Sequence, residues 1–143
     1  LEETLSTLPG RQLCIELKVY PSTNGEELAR RTMERVIEWD AVACAMILSF
    51  DHHVLEVVRQ CCPGVRTVGL FRDIPSDFAV VEPFVAVDIS IRRITAEFVG
   101  SAQERGRPVI VYTCNSEVDV EKAKALGVNA ITTDRPAWLA GLL

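Results

Sequence analysis

Residues 109–134 read VIVYTCNSEVDVEKAKALGVNAITTD, and this stretch decides the fold. Val109 to Tyr112 is an unbroken β-prone run of the kind that makes a buried strand. Ser116, followed three positions on by Asp119, predicts a helix start, because the serine oxygen can accept a first-turn backbone N–H. Gly127, directly after the last apolar residue Leu126, predicts the stop. Ala130 to Thr132 is then a second apolar strand. A strand, a helix and a strand with no hairpin turn between them imply parallel pairing through a crossover.

The same unit recurs on both sides. Downstream, Pro136 is placed to open a terminal helix expected to run to Leu143. Upstream, Ala86 to Ile89 reads as a strand, with Thr95 as the next cap, Phe98, Val99 and Ala102 as a buried face and Gly106 as terminator. Arg66 to Phe71 is another strand, followed by Arg72 to Pro83, whose two prolines suggest a loop or one short helix. Ala45 to Phe50 is a buried strand, with Asp51 as N-cap, Val54, Leu55 and Val58 as a helical stripe, and Pro63-Gly64 as the stop. The first strand runs from Leu13 to Leu17. A loop with Pro21, Asn24 and Gly25 follows, then a capping-box spacing from Thr23 to Glu26 and a helical face of Leu28, Ala29, Met33, Val36 and Ile37. Six strands alternating with helices predict one α/β domain over residues 1–143 with a parallel sheet. Such units fit either an open doubly wound sheet or most of an eight-stranded barrel.

Composition narrows the partners. The chain is 48% hydrophobic and 24% charged, the balance of a globular domain with a core. Its longest apolar stretches, Ala41 to Phe50 and Phe78 to Val87, fall short of the roughly twenty residues that span a bilayer, so no transmembrane segment is expected. The acidic opening Leu1-Glu2-Glu3 lacks the basic start of a secretory signal. A net charge of −5 with scattered basic residues argues against nucleic acid as a partner. The five cysteines, at 14, 44, 61, 62 and 114, form no C-x-x-C pair or zinc-like cluster and read as thiols in a reducing, cytoplasmic setting. Cys14, Cys44 and Cys114 are expected to be small buried hydrophobes.

In either architecture chemistry collects where strands end. The polar residues there are Glu16 and Lys18, Ser49 and Asp51, Arg72 and Asp73, Asp88 and Ser90, Thr113 and Asn115, and Thr133 and Asp134. Glu16 stands out, since a carboxylate inside an apolar strand needs a cation or several donors. Residues two apart on a strand share a side, so Lys18 is presented with it. A carboxylate suits a hard divalent ion and a lysine a phosphoryl oxygen. A structural Glu–Lys pair is the competing reading.

The segments Ile15-Glu16-Leu17-Lys18, Leu48-Ser49-Phe50-Asp51, Val111-Tyr112-Thr113-Cys114-Asn115 and Gly127 to Pro136 together resemble the glycerophosphodiester phosphodiesterase family, as does the opening Leu1-Glu2-Glu3-Thr4-Leu5. The resemblance implies a (β/α)8 TIM-type barrel hydrolysing a small-molecule glycerophosphodiester with a divalent metal, Mg or Ca. It casts Glu16 as metal ligand and Lys18 as phosphate-binding residue, the two together as the catalytic residues of this stretch. Phe50 and Tyr112 would line the substrate pocket, Tyr112 where the family usually has Trp. Asn115 would bind substrate or, like Ser49, brace the rim.

The family's His-Arg pair, its E-x-D strand and its second histidine precede the matched region. The sequence therefore reads as the C-terminal part of the barrel, with six strand–helix units present and the first two strands missing. His52 and His53 do not match the family's catalytic positions and are expected as exposed first-turn residues. On this reading residues 1–143 alone are inactive, and self-association through open strand edges is expected. A non-catalytic module built on the same units, and a related phospholipase D-like barrel lipase sharing the E-x-K strand, remain as alternatives.

Overall fold

The computed structural model describes residues 1–8 and 11–142. They form two compact units, Leu1–Leu70 and Phe71–Leu143. Each repeats the strand–helix alternation.

The first unit opens with helix α1 (Glu2–Thr7) and strand β1 (Leu13–Glu16), followed by α2 (Gly25–Glu38), β2 (Ala45–Ser49), α3 (His52–Cys61) and β3 (Arg66–Phe71), whose last residue begins the second unit. β1 lies parallel to β2, with Leu13 level with Ala45 and Glu16 with Leu48. β2 lies parallel to β3, with Met46 level with Arg66 and Ser49 with Gly69. Flanked on both sides, β2 is almost wholly buried, whereas β1 alternates half-buried and exposed residues. This corrects the expectation for Cys14, which is exposed, and Cys44 is only half-buried, its thiol donating to the Ala41 carbonyl at 3.2 Å. Cys114 is buried as expected.

Helix α2 shows how neighbouring caps compete. The Thr23 hydroxyl is engaged as acceptor of the Tyr20 N–H at 3.1 Å, so the cap falls to Asn24, whose side-chain oxygen takes the Glu27 N–H at 3.1 Å. The buried face is Ala29, Thr32, Met33 and Val36, and Ile37 turns outward at 49% exposure, against expectation. Asp51 caps α3 as its sequence position predicts, accepting from His53 and Val54. Gly25 lets α2 approach α3, because a Cβ there would stand 2.7 Å from Val54 Cγ2.

These two helices also share a titrating contact. On exposed α3 residue His53, Nε2 lies 3.3 Å from Glu26 of α2 and Nδ1 lies 3.5 Å from Glu56. The hydrogen bond to Glu26, and then that to Glu56, holds the imidazole pKa above its ordinary value, while Glu26 is lowered by the same bond. A raised histidine pKa stabilises the fold fully below the unfolded-state value of about 6.5 and ceases to do so as pH rises through the folded-state value. Following the imidazole C–H resonances by NMR should give a His53 midpoint above that of an unstructured histidine, and Glu26→Gln should lower it. An unmoved midpoint in the variant would show that Glu26 does not hold the ring.

The second unit contains a 3₁₀ turn (Phe78–Val80), β4 (Ala86–Ser90), α4 (Ala96–Glu104), β5 (Val109–Tyr112), α5 (Glu117–Leu126), β6 (Ala130–Ile131) and α6 (Pro136–Ala140). β4 and β5 are parallel with Ser90 level with Tyr112, and β5 and β6 are parallel with Val111 level with Ile131. Thr95 and Ser116 cap α4 and α5 by accepting from Phe98 and Asp119. Gly127 ends α5 in the left-handed region at φ 67°, where a side chain would be strained. The last strand stops at Ile131, one residue before the predicted end, although Thr132 still bonds to its neighbour, its N–H donating to the Val111 carbonyl at 2.8 Å and its carbonyl accepting the Cys114 N–H at 2.9 Å. Helix α6 ends at Ala140 rather than Leu143, the latter lying outside the described residues.

Candidate active site

In the first unit the candidate residues stand at the C-terminal ends of β1 and β2. Glu16 ends β1, and the ladder continues one step beyond it, the Leu17 N–H donating to the Leu48 carbonyl at 2.8 Å. Buried Ser49 then takes the place of a backbone group, its hydroxyl donating to the Leu17 carbonyl at 2.8 Å and accepting the Asp51 N–H at 3.0 Å. One side chain thus ties the residue before Lys18 to the turn carrying Phe50. Lys18 Nζ lies 3.7 Å from Glu16 Oε2, so both side chains project to one side. The pair stands open to solvent, with the lysine side chain 62% and the glutamate 36% exposed. That corrects the picture of a carboxylate buried within an apolar strand. Phe50 is 37% exposed directly after β2. His52, expected to be exposed, is half-buried with Nε2 3.1 Å from the Leu70 carbonyl, where it spans from α3 to β3.

In the second unit the ends of β4 and β5 border a concavity of about 510 Å³. Half-buried Tyr112 contributes to it while its hydroxyl donates to the Phe71 carbonyl at 2.7 Å. Asn115 lines the same concavity. Its amide donates to Asp134 at 2.7 Å, and its oxygen accepts the Thr133 hydroxyl and the Asp134 N–H, each at 3.0 Å, so the side chain also holds the loop after β6. Cys114 next to it is inert, since burial first, and then Asp119 and Asp88, push its thiol up to about 11.

A divalent ion of the Mg or Ca type takes about six or more oxygen ligands. Glu16 supplies one carboxylate of suitable chemistry, but the described residues hold no group of three or more His, Cys, Asp or Glu able to surround an ion. These residues therefore do not make a metal site by themselves. No helix among them is long and apolar enough to cross a membrane.

Residues 1–138 match the model of the glycerophosphoryl diester phosphodiesterase family. The chain belongs to that family. No curated protein matches it significantly. Among solved structures, a candidate glycerophosphodiester phosphodiesterase from Galdieria sulphuraria is 25% identical with a TM-score of 0.85, over 99% of this chain and 62% of that one. A phosphodiesterase from Oleispira antarctica, solved with its product sn-glycerol-3-phosphate, is 20% identical with a TM-score of 0.87, over 99% of this chain and 59% of that one. A glycerophosphodiester phosphodiesterase from Parabacteroides distasonis is 20% identical with a TM-score of 0.84, again over 99% of this chain and 62% of that one. This chain of the glycerophosphoryl diester phosphodiesterase family has the fold of six consecutive strand–helix units of a TIM-type barrel, and it spans about three-fifths of the length of these relatives. The arginine pair Arg92-Arg93 after β4 escaped the sequence reading, although a basic residue two positions past a strand end, like Lys18 after Glu16, was the available signal.

Proposed function

We propose that this chain contributes to hydrolysis of glycerophosphodiesters, water cleaving a P–O bond to give an alcohol and glycerol phosphate. The reading is carried by the Glu16–Lys18 pair, an open carboxylate and ammonium 3.7 Å apart at the end of β1 in a chain of this family. Lys18 binds a phosphoryl oxygen as a point charge, stabilising the negative charge that grows in the transition state. Ser49 positions the backbone that carries it. In the first unit Phe50, exposed directly after β2, supplies an apolar wall for the substrate; in the second, Tyr112 lines a concavity of its own and Asn115 holds the β6–α6 loop. The product in the Oleispira relative is consistent with a small-molecule diester as substrate.

Glu16 would supply one carboxylate ligand to a divalent ion, whose other ligands would have to come from outside the described residues. Such an ion would supply Lewis-acid chemistry to a phosphoryl oxygen. On this reading the activity needs a complete barrel, with ligands beyond the described residues. Glu16→Gln, which removes charge and keeps shape, tests this in the full-length gene product. The variant should need at least tenfold more Mg or Ca for half-maximal hydrolysis, of the order seen when a ligand or its support is removed. An unchanged metal response would remove Glu16 from the ligand set.

A further inference from the structure

Within the first unit, at the end of β1 away from Glu16 and Lys18, a cavity of about 430 Å³ is bordered by α1, the start of β1 and the turn that links α2 to β2. Leu5, Leu8, Leu13 and the exposed Trp39 give it apolar walls. The uncharged polar groups of the lining are committed to the protein. The Ser6 hydroxyl donates to the Glu3 carbonyl at 2.9 Å, and the Cys44 thiol to the Ala41 carbonyl. The Gln12 side-chain oxygen accepts from Arg66, which stands outside the lining and also holds the Ala43 carbonyl. Asp40 is the one charged residue of the lining. It is exposed, and its carboxylate makes no hydrogen bond or ion pair among the described residues.

Asp40 also stands where the fold would do better without it. Helix α2 closes in a Schellman turn, the Ala41 N–H donating to the Val36 carbonyl at 2.9 Å and the Asp40 N–H to the Ile37 carbonyl at 3.0 Å, which sets Asp40 at φ 50°. Glycine takes that position without strain, as Gly127 does after α5. The carboxylate lies, moreover, at the negative end of a 14-residue helix, where the macrodipole disfavours it. Neither penalty is offset by a partner among the described residues. The N-terminal strand ends of a TIM-type barrel ordinarily serve stability, and Asp40 works against it. We infer that this cavity is a binding site for an organic ammonium ion with an apolar body, Asp40 taking the charge and Trp39 offering its ring face to the cation. An aromatic or aliphatic tail would occupy the space among Leu5, Leu8 and Leu13. The site does not depend on the diesterase reading.

The test follows the amides of the full-length gene product by NMR during titration with phenethylamine, phenethyltrimethylammonium, phenethyl alcohol and 3-phenylpropionate. These probes share a ring and differ in charge. Both cations should shift the amides of Trp39, Asp40 and Cys44 and bind about fivefold more tightly than the alcohol, the scale of an exposed ion pair joined to a cation–π contact. The propionate should bind most weakly. Asp40→Asn keeps a residue that tolerates the left-handed turn and deletes the charge, so it should bring the cations and the alcohol to one affinity. Asp40→Gly should do the same while raising the thermal midpoint by roughly 2–4 °C, the opposite of what losing a structural residue does. An alcohol that binds as tightly as the amines, a preference that survives Asp40→Asn, or cavity amides left unmoved by the cations would each overturn the site. So would a fall in the thermal midpoint of Asp40→Gly, which would assign Asp40 to the fold.

Discussion

Replacing Lys18 with methionine in the full-length gene product is expected to lower kcat by roughly 10²–10³-fold, the usual loss when one donor to a developing oxyanion is removed. Methionine keeps the length of the stem and deletes the charge. The substitution separates chemistry from stability because the Glu16–Lys18 pair is open to solvent, 3.7 Å apart and mostly exposed on the lysine side. Exposed pairs of this kind stabilise a fold by less than about 1 kcal/mol. The thermal midpoint and circular dichroism should therefore stay near those of the parent while turnover collapses. A variant that loses its fold would establish the structural ion-pair reading, and one that keeps its turnover would remove Lys18 from the phosphate site.

The second large effect concerns residues 1–143 by themselves, which are expected to show no measurable glycerophosphodiester hydrolysis with added Mg or Ca. A TIM-type barrel closes with eight strands. Among the described residues there are six, β1 pairing with β2 alone and β6, only two residues long, pairing with β5 alone. Glu16 is a single carboxylate where a divalent ion takes about six oxygen ligands. Strand edges left without partners recruit other chains, so sedimentation or light scattering should report a mass above that of one 15.8 kDa chain. A folded, active monomer would overturn both the incomplete-barrel reading and the need for ligands beyond these residues.

Much of the fold was legible because the signals that start and stop its elements act over three or four residues. Asp51, Thr95 and Ser116 each cap the helix that their positions predict, and Gly127 takes the left-handed turn that its place after Leu126 demands. The apolar runs Arg66–Phe71 and Val109–Tyr112 became strands with the predicted bounds, since a continuous β-prone run must be buried or paired. The motif order likewise pointed to the family that residues 1–138 match.

What the sequence alone determined, then, was the series of elements and the strand ends where Glu16 and Lys18 stand, because periodicity, caps and stops are local properties of the chain. Tertiary structure decided the rest. Cys14 and Glu16 are exposed because β1 has a neighbour on one side only among the described residues, and no feature within β1 encodes that. Ser49 became a brace because parallel register brings Leu17 to it across 32 positions, and Asn115 became one by reaching Thr133 and Asp134. Arg92 and Arg93 are indistinguishable in sequence, yet Asp73 takes only the second. A side chain's partner is set by which distant segments the crossovers bring alongside it, a non-local consequence of packing that spacing along the chain does not carry.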